Sequence, residues 1–108
     1  MAVAEITVTP LGTGSPSLSR YVAEVEKIIE ASGLSYVLTP MSTCVQGSVD
    51  EILALVKKVH ECLFEHGVLR VATTVKIDER RDKELTLEGK IRSVKEKLGN
   101  SGPGKADL

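Results

Sequence analysis

The chain has 108 residues, and its 14 basic and 15 acidic residues give a formal net charge of -1. This length suits one domain with a single core, and the charge balance lacks the concentrated basic surface that nucleic-acid binding needs. One Phe, two Tyr and no Trp leave no aromatic platform for stacking bases, and no apolar run reaches the roughly 20 residues that span a membrane.

The first residues and the cysteines add two expectations. The chain begins with strand-like alternation instead of an apolar signal segment, so we expect a cytoplasmic protein. Cys44 and Cys62 do not form a CxxC pair, which disfavours a zinc site or a thioredoxin-type redox site. We expect both cysteines to be reduced and packed as small hydrophobic side chains.

A strand is predicted over residues 3–9, because apolar and polar side chains alternate there with a period of two. Ala4, Ile6 and Val8 share one face, and the set that includes Glu5 shares the other. Residues 10–16 form a glycine-rich loop that resembles a phosphate cradle but lacks the lysine of GxxxxGK[ST]. Two interpretations stay open: an anion site at the N-terminus of the next helix, or a plain strand-to-helix connection.

The first helix follows this loop, with Ser17 or Ser19 expected as its cap. Gly33 is placed to end the helix as a left-handed residue after the last turn. The apolar stripe of the helix recurs at helical spacing and consists of Leu18, Val22, Val25 and Ile29.

A β-hairpin is predicted in mid-chain, where two short β-prone runs, residues 36–39 and 43–46, flank a turn at Pro40. Small hydrogen-bonding side chains gather around this turn, namely Thr39, Ser42, Thr43 and Gln46. They form either the wall of a ligand site or a solvated sheet edge, and the residues by themselves leave both interpretations open.

The second helix is predicted to start at a capping box formed by Ser48 and Glu51, to run to about residue 65, and to be closed by Gly67. His60 and His66 lie six residues apart, whereas the zinc motif HExxH needs two histidines four apart on one helix face. We therefore expect both histidines at the surface or rim of the fold and predict no metal site.

The longest strand is predicted over residues 69–78, where the alternation is clean, so that one face meets helices and the other carries charge. A third helix covers about residues 86–98. Residues 99–108 contain three glycines and a proline without periodicity, and we predict a flexible tail there. Residues 1–98 are expected to form a single domain.

The element order is β-α-β-β-α-β followed by a helix. It predicts an α+β fold, a ferredoxin-like sandwich with a four-stranded antiparallel sheet and an extra C-terminal helix. Right-handed crossovers place the first two helices on one face of the sheet, and the expected strand order is 4-1-3-2. Strands one and four then share polar side chains on the helix-free face, namely Glu5, Thr7, Thr9, Arg70, Thr74 and Lys76. Because that face is half apolar, we expect a homo-oligomer packed through its sheets.

Four stretches of the sequence resemble one known family, the small thiamine-binding proteins. They are V-T-P-L-G-T-G near the start, Y-V-L-T-P-M-S-T-C-V-Q-G in the hairpin, H-E in the second helix and R-V-A-T-T-V-K-I-D-E-R-R-D at strand four. The resemblance covers about residues 2–98. It implies a ferredoxin-like subunit, assembly through sheets into homodimers or homotetramers, and binding of thiamine or its pyrimidine portion near a subunit interface without catalysis.

The hairpin departs from the family pattern at two points. The chain has Ser42-Thr43 where the family usually has Gly-Thr, and Val45-Gln46-Gly47 where the family usually has Ile-Glu-Gly. The second difference removes a carboxylate. If that carboxylate holds a cationic ligand in the family, the affinity or the identity of the ligand differs here.

The matching motifs carry over six candidate ligand-binding residues, namely Thr39, Thr43, Gln46, Arg70, Thr73 and Lys76. Arg70 and Lys76 could equally be ion-pair partners in a subunit interface. Both cations oppose a cationic ligand but favour a phosphorylated one, so the sequence leaves free thiamine and its phosphate esters both open.

The chemistry of thiamine constrains the site that the resemblance implies. Thiamine offers an aminopyrimidine edge and a positively charged thiazolium, so its site needs paired donors and acceptors, apolar walls and nearby negative charge. Thr39, Thr43 and Gln46 suit the pyrimidine edge. Glu5 is the strand carboxylate best placed to offset the cation, and it completes the set of seven candidate ligand-binding residues.

We therefore predict a non-catalytic binder of thiamine or hydroxymethylpyrimidine that acts as a carrier or sensor. The alternative is a structural or regulatory homo-oligomer that responds to anions and does not bind thiamine. The sequence contains no visible nucleophile–base pair, metal constellation or catalytic motif, so we predict no enzyme and no catalytic cofactor. The expected partners are a small-molecule ligand and further copies of the chain, not nucleic acid or a membrane.

Overall fold

The computed structural model describes residues 1–99, and within them the chain forms four strands and three helices. In chain order the elements are β1 (Ala2–Leu11), α1 (Ser19–Ala31), β2 (Ser35–Leu38), β3 (Thr43–Gly47), α2 (Val49–Glu65), β4 (Arg70–Glu79) and α3 (Leu87–Leu98). This order confirms the predicted α+β, ferredoxin-like architecture with an added C-terminal helix. The predicted flexible tail lies outside the described residues from position 100 onward.

The four strands form one antiparallel sheet in the order β2-β3-β1-β4. This is the predicted strand order read from the opposite edge. Strands β1 and β4 pair along their whole length, from Ala2 opposite Glu79 to Leu11 opposite Arg70. The short strand β2 is exposed and forms one edge.

The hydrophobic core lies between the sheet and the helices α1 and α2, on what we call the helix face of the sheet. Even-numbered residues of β1 from Ala2 to Ile6 contribute to it, as the period-two alternation predicts. The most completely buried large side chains are Ile29, Ile52, Leu63, Val45 and Val59. Burial of each such side chain contributes about 1.5–3 kcal/mol to the free energy of folding.

The second helix begins as its sequence predicts, whereas the first does not. The Ser48 hydroxyl accepts from the backbone N–H of Glu51 at 3.1 Å, and the Glu51 carboxylate accepts from the N–H of Ser48 at 2.9 Å. These backbone and side-chain hydrogen bonds lower the pKa of the Glu51 carboxyl. In α1 the N-cap position is Leu18, without a side-chain cap bond, so the expected cap at Ser17 or Ser19 is wrong. Helix α1 begins at Ser19, so Ser17 lies one residue before the N-cap and Ser19 is already in the first turn.

The opposite side of the sheet, the outer face, is not helix-free as predicted. Helix α3 docks across one end of it, where the N–H of Leu87 donates to Gln46 Oε1 at 2.9 Å and Lys90 Nζ lies 2.5 Å from Asp78 Oδ2. The bond from Lys90 lowers the pKa of the Asp78 carboxyl. Val3 points to this face, and only 5% of its surface is exposed. Helices α1 and α2 already cover the helix face of the sheet. Helix α3 therefore docks on the outer face, which still has an apolar part.

We expect Ser48→Ala to lower the free energy of unfolding by about 1 kcal/mol, because the variant loses the capping bond to the Glu51 N–H. Urea denaturation followed by circular dichroism measures this difference. The matched control is Ser19→Ala, at the start of a helix that has no side-chain cap bond, and its change is expected to stay within about 0.5 kcal/mol. Equal losses in the two variants contradict the capping role.

Candidate functional site

The hairpin turn, β1 and α1 enclose a cavity of about 130 Å³ on the helix face, which we call the α1 cavity. Its apolar walls come from both strands and helix and include Ile6, Val8, Val22, Val25, Ile29 and Leu38. The exposed side chain of Met41 lies at its rim. Apolar walls with a few convergent polar groups are typical of small-molecule sites.

The charged group of the α1 cavity is Glu26, a half-buried residue of α1. The hydroxyl of Thr43, which is 5% exposed on β3, donates to Glu26 Oε1. The second carboxylate oxygen, Oε2, is buried and has no hydrogen-bond partner among the described residues. A buried polar atom without a partner costs free energy, so the fold is destabilised at this carboxylate.

The turn that closes the α1 cavity is held by its own hydrogen bonds. The backbone N–H of Thr39 donates to Ser42 O at 2.8 Å, and Thr39 Oγ1 accepts from the N–H of Ser42 at 3.0 Å and of Met41 at 3.3 Å. Ser42 Oγ donates to Glu5 Oε2 at 3.1 Å, across to the outer face. The polar groups of the turn therefore have a defined arrangement before any ligand is present.

The structure does not bring the seven predicted ligand-binding residues together. Thr39 and Thr43 line the α1 cavity, and Glu5 reaches the same turn only through Ser42. Thr73 lies on the helix face beneath α2, where its hydroxyl is 2.6 Å from His60 Nδ1.

The remaining three candidates, Gln46, Arg70 and Lys76, lie on the outer face. The strand register places them there, because Gln46 pairs with Val3, Lys76 with Glu5 and Arg70 with Leu11. Gln46 holds the start of α3. A second cavity of about 220 Å³ lies beside it and is lined by charged groups of both signs, namely Glu5, Lys76, Asp78 and Lys90.

Sequence reasoning missed Glu26, although the sequence contains a signal for it. Glu26 is four residues after Val22 and three before Ile29, so it lies on the apolar stripe that packs against the sheet. A carboxylate at such a position has to be paired with a buried donor or has to serve a ligand. Only the fold shows that its neighbour is Thr43, which is seventeen residues away along the chain.

Two residues that the sequence analysis considered for metal or redox chemistry, His66 and Cys62, contact each other and their neighbours at the end of α2. His66 Nδ1 lies 2.9 Å from Cys62 O, and its Nε2 lies 3.5 Å from Glu24 Oε2. Burial raises the pKa of the Cys62 thiol, which lowers its reactivity at neutral pH.

Within residues 1–99 no group of three or more His, Cys, Asp or Glu side chains is arranged to hold a metal ion. None of the helices in that part of the chain is long and apolar enough to cross a membrane.

The glycine-rich loop before α1 borders an open cavity of about 320 Å³. The hydroxyl of Thr13 donates to Ser15 O at 2.9 Å, and Ser15 Oγ accepts from the N–H of Ser17 at 3.2 Å. The Arg20 guanidinium lies 4.7 Å from the centre of the Tyr21 ring and donates to its hydroxyl. These contacts lie within the loop and the first turn of α1. They do not favour the phosphate-cradle interpretation over a plain connection.

Comparison with known proteins gives a consistent result. A family model described as thiamine-binding protein matches residues 4–95 of this chain. The UPF0045 protein YqgV of Bacillus subtilis is 48% identical over 102 residues, covering 91% of this chain and 98% of that protein. A UPF0045 protein of Methanothermobacter thermautotrophicus is 43% identical over 99 residues, covering 91% of this chain and 100% of that protein.

Solved structures share the fold. The crystal structure of hypothetical protein MJ1052 from Methanocaldococcus jannaschii matches with a TM-score of 0.79 and 38% identity, over 86% of this chain and 94% of that one. A Thermotoga maritima protein, named for a proposed role in thiamine biosynthesis or salvage, matches with a TM-score of 0.74 over 87% of this chain and 98% of its own. Its identity is 23%, so this likeness concerns the fold.

We expect Thr43→Val to lower the free energy of unfolding by about 1–3 kcal/mol, because both oxygens of Glu26 then lack a protein donor. Thr74→Val, on the exposed outer face of β4, is the control and is expected to change stability by less than about 0.5 kcal/mol. In the background of Glu26→Gln the cost of Thr43→Val should fall, because the buried negative charge is gone. Urea denaturation of the four proteins of this cycle measures the coupling, and additive effects contradict it.

Proposed function

Because this chain belongs to the thiamine-binding protein family, we propose that it binds thiamine, or the aminopyrimidine portion of thiamine, in the α1 cavity. The observation that carries this proposal is the half-buried carboxylate of Glu26, which accepts from Thr43 and lines an apolar cavity. An aminopyrimidine offers N–H donors to a carboxylate, and its flat ring suits apolar walls.

The size of the cavity supports one ring at this position. A cavity of about 150 Å³ in a protein core holds a benzene molecule, so the 130 Å³ here suits a six-membered ring. The thiazolium of thiamine then lies outside, at the mouth formed by Met41 and Leu38. Met41 is 85% exposed and has a flexible, polarisable side chain that can cover a second ring.

The candidates on the outer face receive a different role in this proposal. Gln46 anchors α3 through the N–H of Leu87, and Lys76 lies beside Glu5 in the strand register. We propose that these residues and Arg70 hold α3 on the outer face and contact other subunits there. Thr39 and Thr43 remain the predicted ligand-contacting residues, with Glu26 added to them.

The protein is proposed to act as a carrier or sensor that does not transform its ligand, in the cytoplasm as the sequence predicts. The polar groups of the α1 cavity are one carboxylate and hydroxyls that are bonded to neighbouring residues. Such a set binds and orients a ring but provides no activated nucleophile. Thiamine incubated with the protein and then released by denaturation is expected to keep its mass.

Self-association through the outer face and α3 is also part of the proposal. The apolar stripe of α3 remains exposed at Ile91, Val94 and Leu98, and exposed apolar stripes of this kind are commonly covered by another subunit. Light scattering after size exclusion is expected to give a dimer or larger species. Val94→Lys should shift it toward the monomer, whereas Ser93→Lys, on the adjacent side of α3, should not. A monomeric wild-type protein contradicts this part of the proposal.

We expect thiamine at 100 times its dissociation constant to stabilise the protein by about 2.7 kcal/mol, which raises the melting temperature by roughly 10–20 °C for a domain of this size. Val22→Trp should abolish this shift, because Val22 lines the α1 cavity and is 41% exposed, so that an indole can fill the mouth from the solvent side. A thermal-shift titration measures both effects.

The control for this variant is Leu53→Trp, which adds the same side chain at an exposed position of α2 outside the cavity lining. It is expected to keep the thiamine-induced shift. If Val22→Trp folds and still responds to thiamine as the wild type does, the ligand binds somewhere other than the α1 cavity. If the wild type does not respond to thiamine or hydroxymethylpyrimidine, the proposed function is wrong.

A further inference from the structure

The hairpin turn is the part of the α1 cavity wall that the sheet holds least. Residues 39–43 line the cavity. Pairing between β3 and β1 ends at Thr43 opposite Ile6, so residues 39–42 extend past the last of these pairs. Strand β2, which leads into the turn, is an edge strand and pairs with β3 on one side. The position of the turn therefore depends on contacts other than strand pairing.

Within residues 1–99, one hydrogen bond joins this turn to another part of the fold. Ser42 Oγ donates to Glu5 Oε2 of β1 at 3.1 Å, whereas the other hydrogen bonds of residues 39–42 stay within the turn. The Thr39 hydroxyl lies 3.2 Å from Ser42 Oγ, but a carboxylate is the stronger acceptor for the Ser42 proton. We call the hydrogen bond between Ser42 and Glu5 the latch.

The latch lies outside the space that a ligand would occupy. Thr43 directs its hydroxyl to Glu26 on the helix face, and Ser42, the residue before it, directs its hydroxyl to Glu5 on the outer face. Glu5 does not line the α1 cavity. The same bond can therefore form in the free and in the loaded protein. A contact of equal free energy in two states does not shift the equilibrium between them.

We infer that the turn is a gate to the α1 cavity and that the latch sets how fast a ligand enters and leaves, without setting how tightly it binds. Ser42 is the positioning residue of this gate. The inference rests on the proposed function for its ligand. Because opening of the turn breaks the latch in the free and the loaded protein alike, loss of the latch raises the association and dissociation rate constants by the same factor. Their ratio, Kd, stays unchanged.

Hydrogen exchange of the ligand-free protein tests the latch first. The Thr39 N–H donates to Ser42 O at 2.8 Å, so its amide is protected while the turn is in place. In Ser42→Ala this protection is expected to fall by roughly 3- to 10-fold, as for the loss of one hydrogen bond, while amides paired between β1 and β4 keep theirs. The φ angle of Ser42 is not positive, so alanine fits its backbone. Ser35→Ala, which removes an exposed hydroxyl at the other end of the hairpin, is the control and is expected to leave Thr39 unchanged.

An NMR titration with thiamine, analysed by line shape, then gives both rate constants and Kd. In Ser42→Ala both rate constants are expected to rise by roughly 3- to 10-fold, with Kd within about twofold of the wild-type value. Glu5→Ala removes the other half of the latch and is expected to give the same change, and the double variant no more than either single one. Ser42→Thr keeps the hydroxyl and should retain the wild-type rates.

The outcomes separate the gate from the proposed function. Unchanged protection of Thr39 in a folded Ser42→Ala variant overturns the inference and leaves the proposed function standing. The same holds if Kd changes while the association rate constant does not, because Ser42 then acts on the bound ligand. If thiamine does not bind the wild-type protein, the proposed function fails and the gate fails with it, whatever the exchange at Thr39.

Discussion

The pairing of β1 with β4 is the constraint on which the rest of the structure depends. All ten residues of β1 are paired with β4, and five of them are also paired with β3 on the other side. Because side chains alternate along a strand, this register decides which residues meet α1 and α2 and which lie on the outer face. A slip of one residue would bring Glu5 into the core and Ile6 to the outer face.

The register also separates the two kinds of polar chemistry in this protein. On the helix face, a single carboxylate and a buried threonine lie within an apolar cavity. On the outer face, charges of both signs lie close together, and Lys90 forms an ion pair with Asp78. An apolar surround strengthens electrostatic interactions with a ligand, whereas exposed ion pairs contribute little energy. The helix face is therefore where we propose that the ligand binds, and the outer face is where α3 docks.

The buried oxygen of Glu26 is a cost to the stability of the fold. An acceptor that is buried without a donor loses its hydrogen bond to water and gains none in the protein. The rest of the turn makes the opposite contribution, because its own hydrogen bonds keep Thr39 and Ser42 in place before a ligand arrives. Order in the turn lowers the entropy lost on binding.

The sequence by itself determined the element order, the strand order, the capping box at Ser48 and the alternation of faces, since each of these follows from local periodicity, capping chemistry and the handedness of crossovers. It could not determine which polar residues converge. Thr43 and Glu26 lie seventeen positions apart and meet only because α1 packs across β3 and β1, while Gln46 and Lys76, grouped with Thr43 by motif, lie on the other face. The docking of α3 on the outer face was likewise decided by tertiary structure, because it depends on which apolar surface α1 and α2 leave uncovered.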